Sequence, residues 1–481
     1  MTTAGHRIPS PTVNSRRDGP ALWRSLAASD TGRAAGMAAA VITANVIALV
    51  ITVVFARILG ASGYGSLAAL MSAFIILMVP GSALQIAVAR EVSRPGTGVS
   101  AAIRPWLARL AVGTLVVAVL AVALRAPIAA AIGVDDDRWA AAAVPVSAVL
   151  WMVVAVMRGA LQGFGLYRVV AISIVGEGLA RLILGLALVG PLDVTGAFLG
   201  TPLALVAVAV ALGVVLRPHL PAPSHETVAR LRDLLAGARA PVAALTLLFV
   251  LQEVHVIVVK HEADGDAAGS YAVAAVAAKA IIWVAVGLGL YLLPEVSRRA
   301  ASGVDARRVL SRTIALIAAL AVPMVLVYAV AGEPLLRIVF GDDLAEASGA
   351  LPLLGLAMSL LACTYLAVQY LLGLHRARFI WALAVAAVAE VVLLASIGAN
   401  LERVALALFA LQLVCAAVVV TISFRTGPGE PQELVVAEAG HGAVGGLEVE
   451  VEDAHPAGAP SPVGLALGSH RAEPADHESG A

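Results

Sequence analysis

Three things are scarce in this 481-residue chain. It has two cysteines, Cys363 and Cys415, both inside apolar runs; a disulfide scaffold is excluded, and two lone thiols do not make a metal cluster. It has two lysines, Lys260 and Lys279, against 30 arginines, which with its abundant alanine reads as the coding bias of a GC-rich bacterium. Charge is the third. Only 13% of residues are charged and 60% are apolar, with a mean hydropathy of +0.93. Soluble domains run at about 25% charged and about 45–50% apolar, so a soluble globular protein is excluded. No Lys/Arg-rich block with interleaved aromatics is present, which excludes a nucleic-acid partner. No metal and no cofactor is expected.

The formal net charge of zero joins two unlike pieces. Residues 1–424 hold 30 basic and 22 acidic side chains, a net +8, while residues 425–481 hold 2 basic (Arg425, Arg471) and 10 acidic ones, a net −8. The acidic piece is rich in Gly, Pro, Glu, Ala and Ser without a periodic apolar face, and reads as a disordered, solubilising tail. Residues 1–33 are polar and arginine-bearing, a second disordered tail.

Between the tails, apolar runs predominate. A helix needs about 20 mostly apolar residues to cross a bilayer. By that rule twelve spans are expected: 34–57, 66–89, 107–124, 139–158, 169–189, 194–216, 239–259, 270–293, 309–331, 348–372, 379–399 and 403–424. The first is too long for a signal-peptide core and is expected to stay. Prolines 80, 145, 202, 241, 323 and 352 lie within spans and suggest kinked helices. With the N-terminus in the cytoplasm, 24 of the 32 cations fall inside, six outside (Arg57, Arg125, Arg138, Lys260, Arg337, Arg403) and two within spans (Arg181, Lys279). Outer segments are acidic, as in Asp135-Asp136-Asp137 and Asp342-Asp343. This positive-inside asymmetry implies both termini in the cytoplasm of a bacterial plasma (inner) membrane.

The chain also repeats itself. Gly63-Tyr64 matches Ser270-Tyr271 after Gly269, at an offset of 207; Glu91-Val-Ser-Arg94 matches Glu295-Val-Ser-Arg298, at 204; Leu161-Gln-Gly163 matches Leu371-Leu-Gly373, at 210. Three ordered matches point to two six-helix halves in parallel orientation, 34–216 and 239–424, joined by a cytoplasmic linker, 217–238. A glycine before tyrosine allows a tight outer turn, and the tyrosine ring is expected half wet at the membrane interface.

These residues carry a resemblance. Asn45 in span 1, then Phe55-Ala-Arg57-Ile-Leu-Gly60-Ala-Ser-Gly63-Tyr64-Gly65, Val79-Pro80 and Ala89-Arg90 resemble the polysaccharide-transporter (oligosaccharide flippase, Wzx-like) branch of the multidrug/oligosaccharidyl-lipid/polysaccharide (MOP) exporter superfamily. The second half agrees in Ala268-Gly269-Ser-Tyr271, Ala278-Lys279-Ala-Ile-Ile-Trp283 and Leu293-Pro294-Glu295. The resemblance covers about residues 34–424. It implies an all-α polytopic membrane protein with two six-helix lobes in a MATE-like V around a central cavity, working by alternating access. It also implies a polyprenyl-diphosphate-linked oligosaccharide as cargo, flipped to the outer leaflet, with membrane lipids, a glycan polymerase and glycosyltransferases as candidate partners. The acidic residue that drug exporters of the superfamily carry in the first helix is missing, and so are the two extra helices of lipid II flippases.

Ionisable groups at membrane depth are costly and usually face the interior or a water-filled cavity. Arginine and lysine suit a diphosphate. Lys279 in span 8 is read as a phosphate contact or cavity-lining cation, or else as the partner of a carboxylate, and Trp283, one turn on, as a sugar-stacking or core ring. Glu177 and Arg181 stand four apart on one face of span 5, the spacing of a salt bridge. Glu390 in span 11 is read as a partner for Arg181 or Lys279, or as a protonatable group. Glu253 and His255 in span 7 lie about 200° apart around a helix and cannot both face one cavity; relatives often have a carboxylate at Glu253, the resemblance implies, and a lone histidine is a pH-sensitive group or hydrogen-bonded packing. Arg158, ending span 4, either meets incoming diphosphate or sets topology. Arg57, Gly63, Tyr64, Gly269 and Tyr271 read as architectural.

No catalytic residue is assigned. An ion-coupled small-molecule or multidrug exporter is the alternative reading. A membrane glycosyltransferase or polymerase is a third, resting on Asp135-Asp136-Asp137 as a Mg²⁺ ligand set and opposed by the lack of a sizeable outer domain. A major-facilitator carrier is opposed by the loop from Ser93 to Arg104, which lacks that class's basic motif.

Overall fold

The structure, a computed structural model, describes residues 30–94, 99–220 and 239–426, all of them helical or in short connections. Most of the expected tails (1–33 and 425–481) and of the linker 217–238 lies outside the described residues. The helices are α1 (Asp30–Val92), α2 (Val99–Ala123), α3 (Arg125–Ile132), α4 (Arg138–Gly163), α5 (Tyr167–Leu216), α6 (Arg239–Glu262), α7 (Gly265–Ala278), α8 (Ala280–Ala301), α9 (Arg307–Phe340), α10 (Leu351–Gly373), α11 (Phe379–Ile397) and α12 (Leu401–Arg425). These labels count helices, not membrane crossings. Among the described residues ten helical stretches are long and apolar enough to cross a membrane.

The twelve expected spans do not map one to one onto these ten. Spans 1 and 2 both lie in α1, and spans 5 and 6 both lie in α5. At 63 residues an unbroken α1 would reach about 95 Å, three times a bilayer core of about 30 Å. It is broken at Gly60, whose φ of 66° is open to glycine at no steric cost. Helix α5 is broken at Asp193 (φ 51°), and its arms fold back on each other. A Cβ on Gly200 would lie 2.7 Å from the Gly185 amide nitrogen, and one on Gly196 would overlap the Leu188 carbonyl. Small residues four apart let two helices close to backbone contact in this way.

Of the expected proline positions, Pro80, Pro145, Pro202 and Pro323 lie inside helices. Residues with non-helical backbone inside the helices are Gly60, Asp193 and Ala331. None is one of the six prolines named above. Ala331 does have a proline cause, Pro334, whose ring clashes with the carbonyl four residues earlier and opens the helix there. Pro352 stands in the first turn of α10, where a missing N–H costs nothing.

The surface tells what surrounds these helices. Val119, Val330, Ile338, Val385 and Trp381 are at least two-thirds exposed. In water so much apolar surface is untenable; against lipid it is solvated.

The internal repeat reappears as geometry. In the first half a Cβ on Gly163 would press on Val92 and lie 3.0 Å from the Ala89 carbonyl. In the second, one on Gly373 would press on Val296 and lie 3.2 Å from the Leu293 carbonyl. Val92 and Val296, like Ala89 and Leu293, are 204 residues apart. The Glu-Val-Ser-Arg helix end therefore docks on its Leu-x-Gly helix end in the same way twice, and in each copy the glutamate bonds its own arginine, Arg94 to Glu91 and Arg298 to Glu295.

Candidate functional site

Helix α7 gives way to α8 at one residue, Lys279. Its amide bonds the Ala275 carbonyl at 3.1 Å, and its own carbonyl accepts from Ile282, three residues on, at 3.0 Å. A break leaves carbonyls without their helical donors; the Ala277 carbonyl accepts from the Tyr328 hydroxyl of α9 at 2.7 Å.

The lysine side chain turns inward and is buried. Its Nζ lies 2.8 Å from Glu253 Oε2 on α6. Ser72 of α1 donates to the same oxygen at 2.8 Å, and the Gln252 side chain to Oε1 at 3.0 Å. Of the two roles read for Lys279 in the sequence, the structure displays pairing with a carboxylate. Two ions removed from water are tolerable only when paired and further hydrogen-bonded, and Glu253 receives three donors. Trp283, four residues on, is 38% exposed whereas Lys279 is 7% exposed.

His255 points elsewhere, as two residues on a helix must. Its Nδ1 lies 2.9 Å from the Tyr271 hydroxyl and its Nε2 2.9 Å from the Gln252 carbonyl. A proton on Nε2 donated to that carbonyl leaves Nδ1 to accept from the tyrosine, so a single neutral tautomer serves all three groups. Glu390 of α11 is fully buried. It accepts from the Gln412 side chain at 3.3 Å, and no arginine or lysine bridges it among the described residues, neither Arg181 nor Lys279. Its Oε1 and the Gln412 Oε1 have no hydrogen-bond partner.

A second ion pair corrects the sequence reading of Glu177. Its partner is not Arg181 but Arg158 of α4, with Nη2 2.9 Å from Oε2. Arg158 also donates to Ser173 Oγ (3.0 Å) and to the Ser173 carbonyl (2.9 Å), and its guanidinium lies 5.6 Å from the Trp151 ring centre. The planar fork of arginine allows all of this at once. Arg181, left over, has a buried Nε without a partner.

The architectural residues are also placed differently from the sequence expectation. Tyr64 and Tyr271 are not half wet but buried, at 4% and 0% exposure, because the segments bearing them pack on each other across the two halves. A Cβ on Gly65 would lie 2.9 Å from the Gly269 nitrogen, and one on Gly269 would overlap the Ala61 carbonyl. Gly63 is helical, and the turn belongs to Gly60. Arg57 donates to the carbonyls of Ile338 (2.7 Å) and Val339 (3.0 Å) at the C-terminal end of α9.

The sequence matches the family described as "Polysaccharide biosynthesis protein" over residues 34–299. The chain belongs to that family. The matched region holds Arg158, Glu177, Glu253 and Lys279 and stops before Glu390. Among curated proteins no match is found. Among solved structures, this polysaccharide biosynthesis family member is similar to the inward-facing form of a multidrug resistance MATE family transporter of the MOP superfamily, at 12% identity and TM-score 0.66, covering 79% of this chain and 94% of that one. It is also similar to the lipid II flippase MurJ in an inward closed conformation, at 13% identity and TM-score 0.58, covering 81% and 87%. A mutant of the Vibrio cholerae MATE transporter VcmN matches at 14% identity and TM-score 0.58, covering 84% and 97%. At these identities the likeness is one of fold. The family member is thus a multi-pass membrane protein with the fold of MOP-superfamily transporters.

Proposed function

We propose that this protein is a flippase that carries a polyprenyl-diphosphate-linked oligosaccharide from the cytoplasmic to the outer leaflet of a bacterial plasma membrane. In this reading its two six-helix lobes, 34–216 and 239–424, work by alternating access, with both termini in the cytoplasm. The observation that carries it is the buried Lys279–Glu253 pair with Ser72 against it. A cation held at membrane depth by an exchangeable carboxylate is a preformed phosphate site: when a diphosphate takes the place of Glu253, the lysine stays compensated and Ser72 and Gln252 stay on the carboxylate. Arg158 serves as a second cation facing the cargo only if it leaves Glu177. The glycan polymerase and glycosyltransferases that consume and supply such a lipid are the natural partners.

Reconstituted into liposomes, the protein is expected to move a fluorescent polyprenyl-diphosphate sugar, and Lys279→Ala to slow that movement at least ~10-fold, the equivalent of about 1.4 kcal/mol. Movement of cationic dyes with none of the lipid would reject the proposal. Glu390 is the observation on the side of the second reading, an ion-coupled exporter: a buried carboxyl group with no ion pair among the described residues and one unpartnered oxygen suits a site that binds and releases a cation. That reading requires substrate-dependent proton or sodium flux abolished by Glu390→Gln. The glycosyltransferase reading has no such support. Asp135 and Asp136 are exposed and Asp137 accepts from Thr195 at 3.2 Å; among the described residues no three acidic, histidine or cysteine side chains are placed to hold a metal ion.

A further inference from the structure

The connection from α10 to α11 runs over residues 374–378 and is held in one shape. The amides of Leu374, His375 and Arg376 bond the carbonyls of Tyr370, Leu372 and Leu371 at 2.9 to 3.1 Å. His375 takes the left-handed conformation, φ 55°, in the way helix ends commonly close. The closed turn presents Arg376 and Arg378 beside Arg425 at the end of α12. Between them lies a cavity of about 390 Å³ whose floor is Leu371, Phe379 and Ile422 and whose remaining lining residue is Thr426. Among the described residues no aspartate or glutamate lines it.

Arginines at helix ends are ordinarily explained by topology. The repeat supplies a comparison. At an offset of 210, His375 corresponds to Gly165, which has the same left-handed backbone (φ 79°), and Arg378 corresponds to Arg168. Arg376, however, corresponds to Leu166, and in that half the corner is occupied by Phe164 stacked on His219, ring centres 6.2 Å apart. In the first half a further arginine, Arg104 of α2, donates to the carbonyls of Arg217 and Leu220. In the second half Arg376, Arg378 and Arg425 line one cavity.

We propose that the corner of α10, α11 and α12 binds the phosphate group of an anionic membrane lipid. Guanidinium forks match phosphate oxygens two at a time, an apolar floor suits the hydrocarbon beneath a headgroup, and basic recesses between helix ends are where anionic headgroups gather. Two sources share this chemistry, an anionic glycerophospholipid of the bilayer and a polyprenyl phosphate. The proposal stands independently of the cargo proposed above.

The test uses the full chain, delipidated in neutral detergent. It is titrated separately with phosphatidylglycerol, undecaprenyl phosphate and the charge-neutral phosphatidylcholine, and bound lipid is read by native mass spectrometry and thermal shift. Arg378 and Arg425 are exposed, so Arg378→Gln/Arg425→Gln leaves the packing intact; Arg168→Gln/Arg217→Gln is the matched pair in the other half. The first pair is expected to weaken binding at least ~10-fold, as the loss of one strong phosphate contact does, and the matched pair to leave it unchanged. Added salt is expected to weaken wild-type binding. Binding of phosphatidylglycerol alone identifies a bilayer lipid as the source, and displacement of it by undecaprenyl phosphate identifies the carrier lipid. Equal binding by wild type and the first pair, equal loss in both pairs, or equally tight phosphatidylcholine would overturn the site.

Discussion

Lys279 Nζ stands 2.8 Å from Glu253 Oε2, and the lysine makes this contact from the one residue at which α7 and α8 part. Removing one partner of a buried pair strands the other, a loss of about 3–5 kcal/mol. Lys279→Met and Glu253→Gln are each expected to lower the melting temperature in detergent. The double variant is expected to recover most of it, since no stranded ion remains, yet to stay inactive in lipid movement. A double variant that moves lipid at the wild-type rate would restrict Lys279 to holding the fold together.

Arg158 and Arg181 are expected to behave oppositely. Arg158→Ala removes the partner of Glu177 and three further contacts, and is expected to cost about 3–5 kcal/mol, as for other buried pairs. Arg181→Ala removes a guanidinium whose Nε has no acceptor and is expected to be neutral or slightly stabilising. Thermal melting of the two variants side by side decides between this pairing and an Arg181–Glu177 bridge, which would reverse the order.

Gly269→Ala places a methyl group on the Ala61 carbonyl, backbone that cannot swing aside. Overpacking of this kind costs about 1–3 kcal/mol, and a lower folded yield and melting temperature are expected. Gly113→Ala in α2 is the control, with nothing within 4 Å of the new carbon; helix propensity then favours alanine by about 1 kcal/mol. Equal effects at both positions would contradict the packing of residues 61–65 on 265–269.

Arg57→Ala is expected to cost about 1 kcal/mol, since charge-assisted hydrogen bonds are discounted for an exposed side chain. Arg57→Lys is expected to recover part of it, because an ammonium still complements the carbonyl end of a helix. Hydrogen exchange at the last turn of α9 reports both, and unchanged exchange in Arg57→Ala would remove this cap from the account.

How much of this was legible in the sequence depends on the distance along the chain. The helices were, because an apolar run of about 20 residues has few other uses. The repeat was, and its offsets of 204 and 210 return as matched contacts of Gly163 and Gly373. Partners were not. Ser72 meets Glu253 from 181 residues away and Arg57 meets Val339 from 282, and no local spacing encodes such pairs. The four-residue rule did find Glu177 and Arg181 near each other, but proximity lost to Arg158, which brings Ser173 and Trp151 as well. Tyr64 and Tyr271 read as interface residues because a tyrosine near a span end usually is one; the glycines beside them instead draw two helices together and shut the rings in.

The break at Lys279 has a consequence for motion. A carbonyl has two lone pairs, so the Tyr328 hydroxyl can bond the Ala277 carbonyl alongside a backbone donor. The end of α7 is therefore tied sideways to α9 through that hydroxyl, and just beyond it to α6 through the Lys279 side chain on Glu253. Any shift of this corner has either to carry α6 and α9 with it or to give up one of those two bonds.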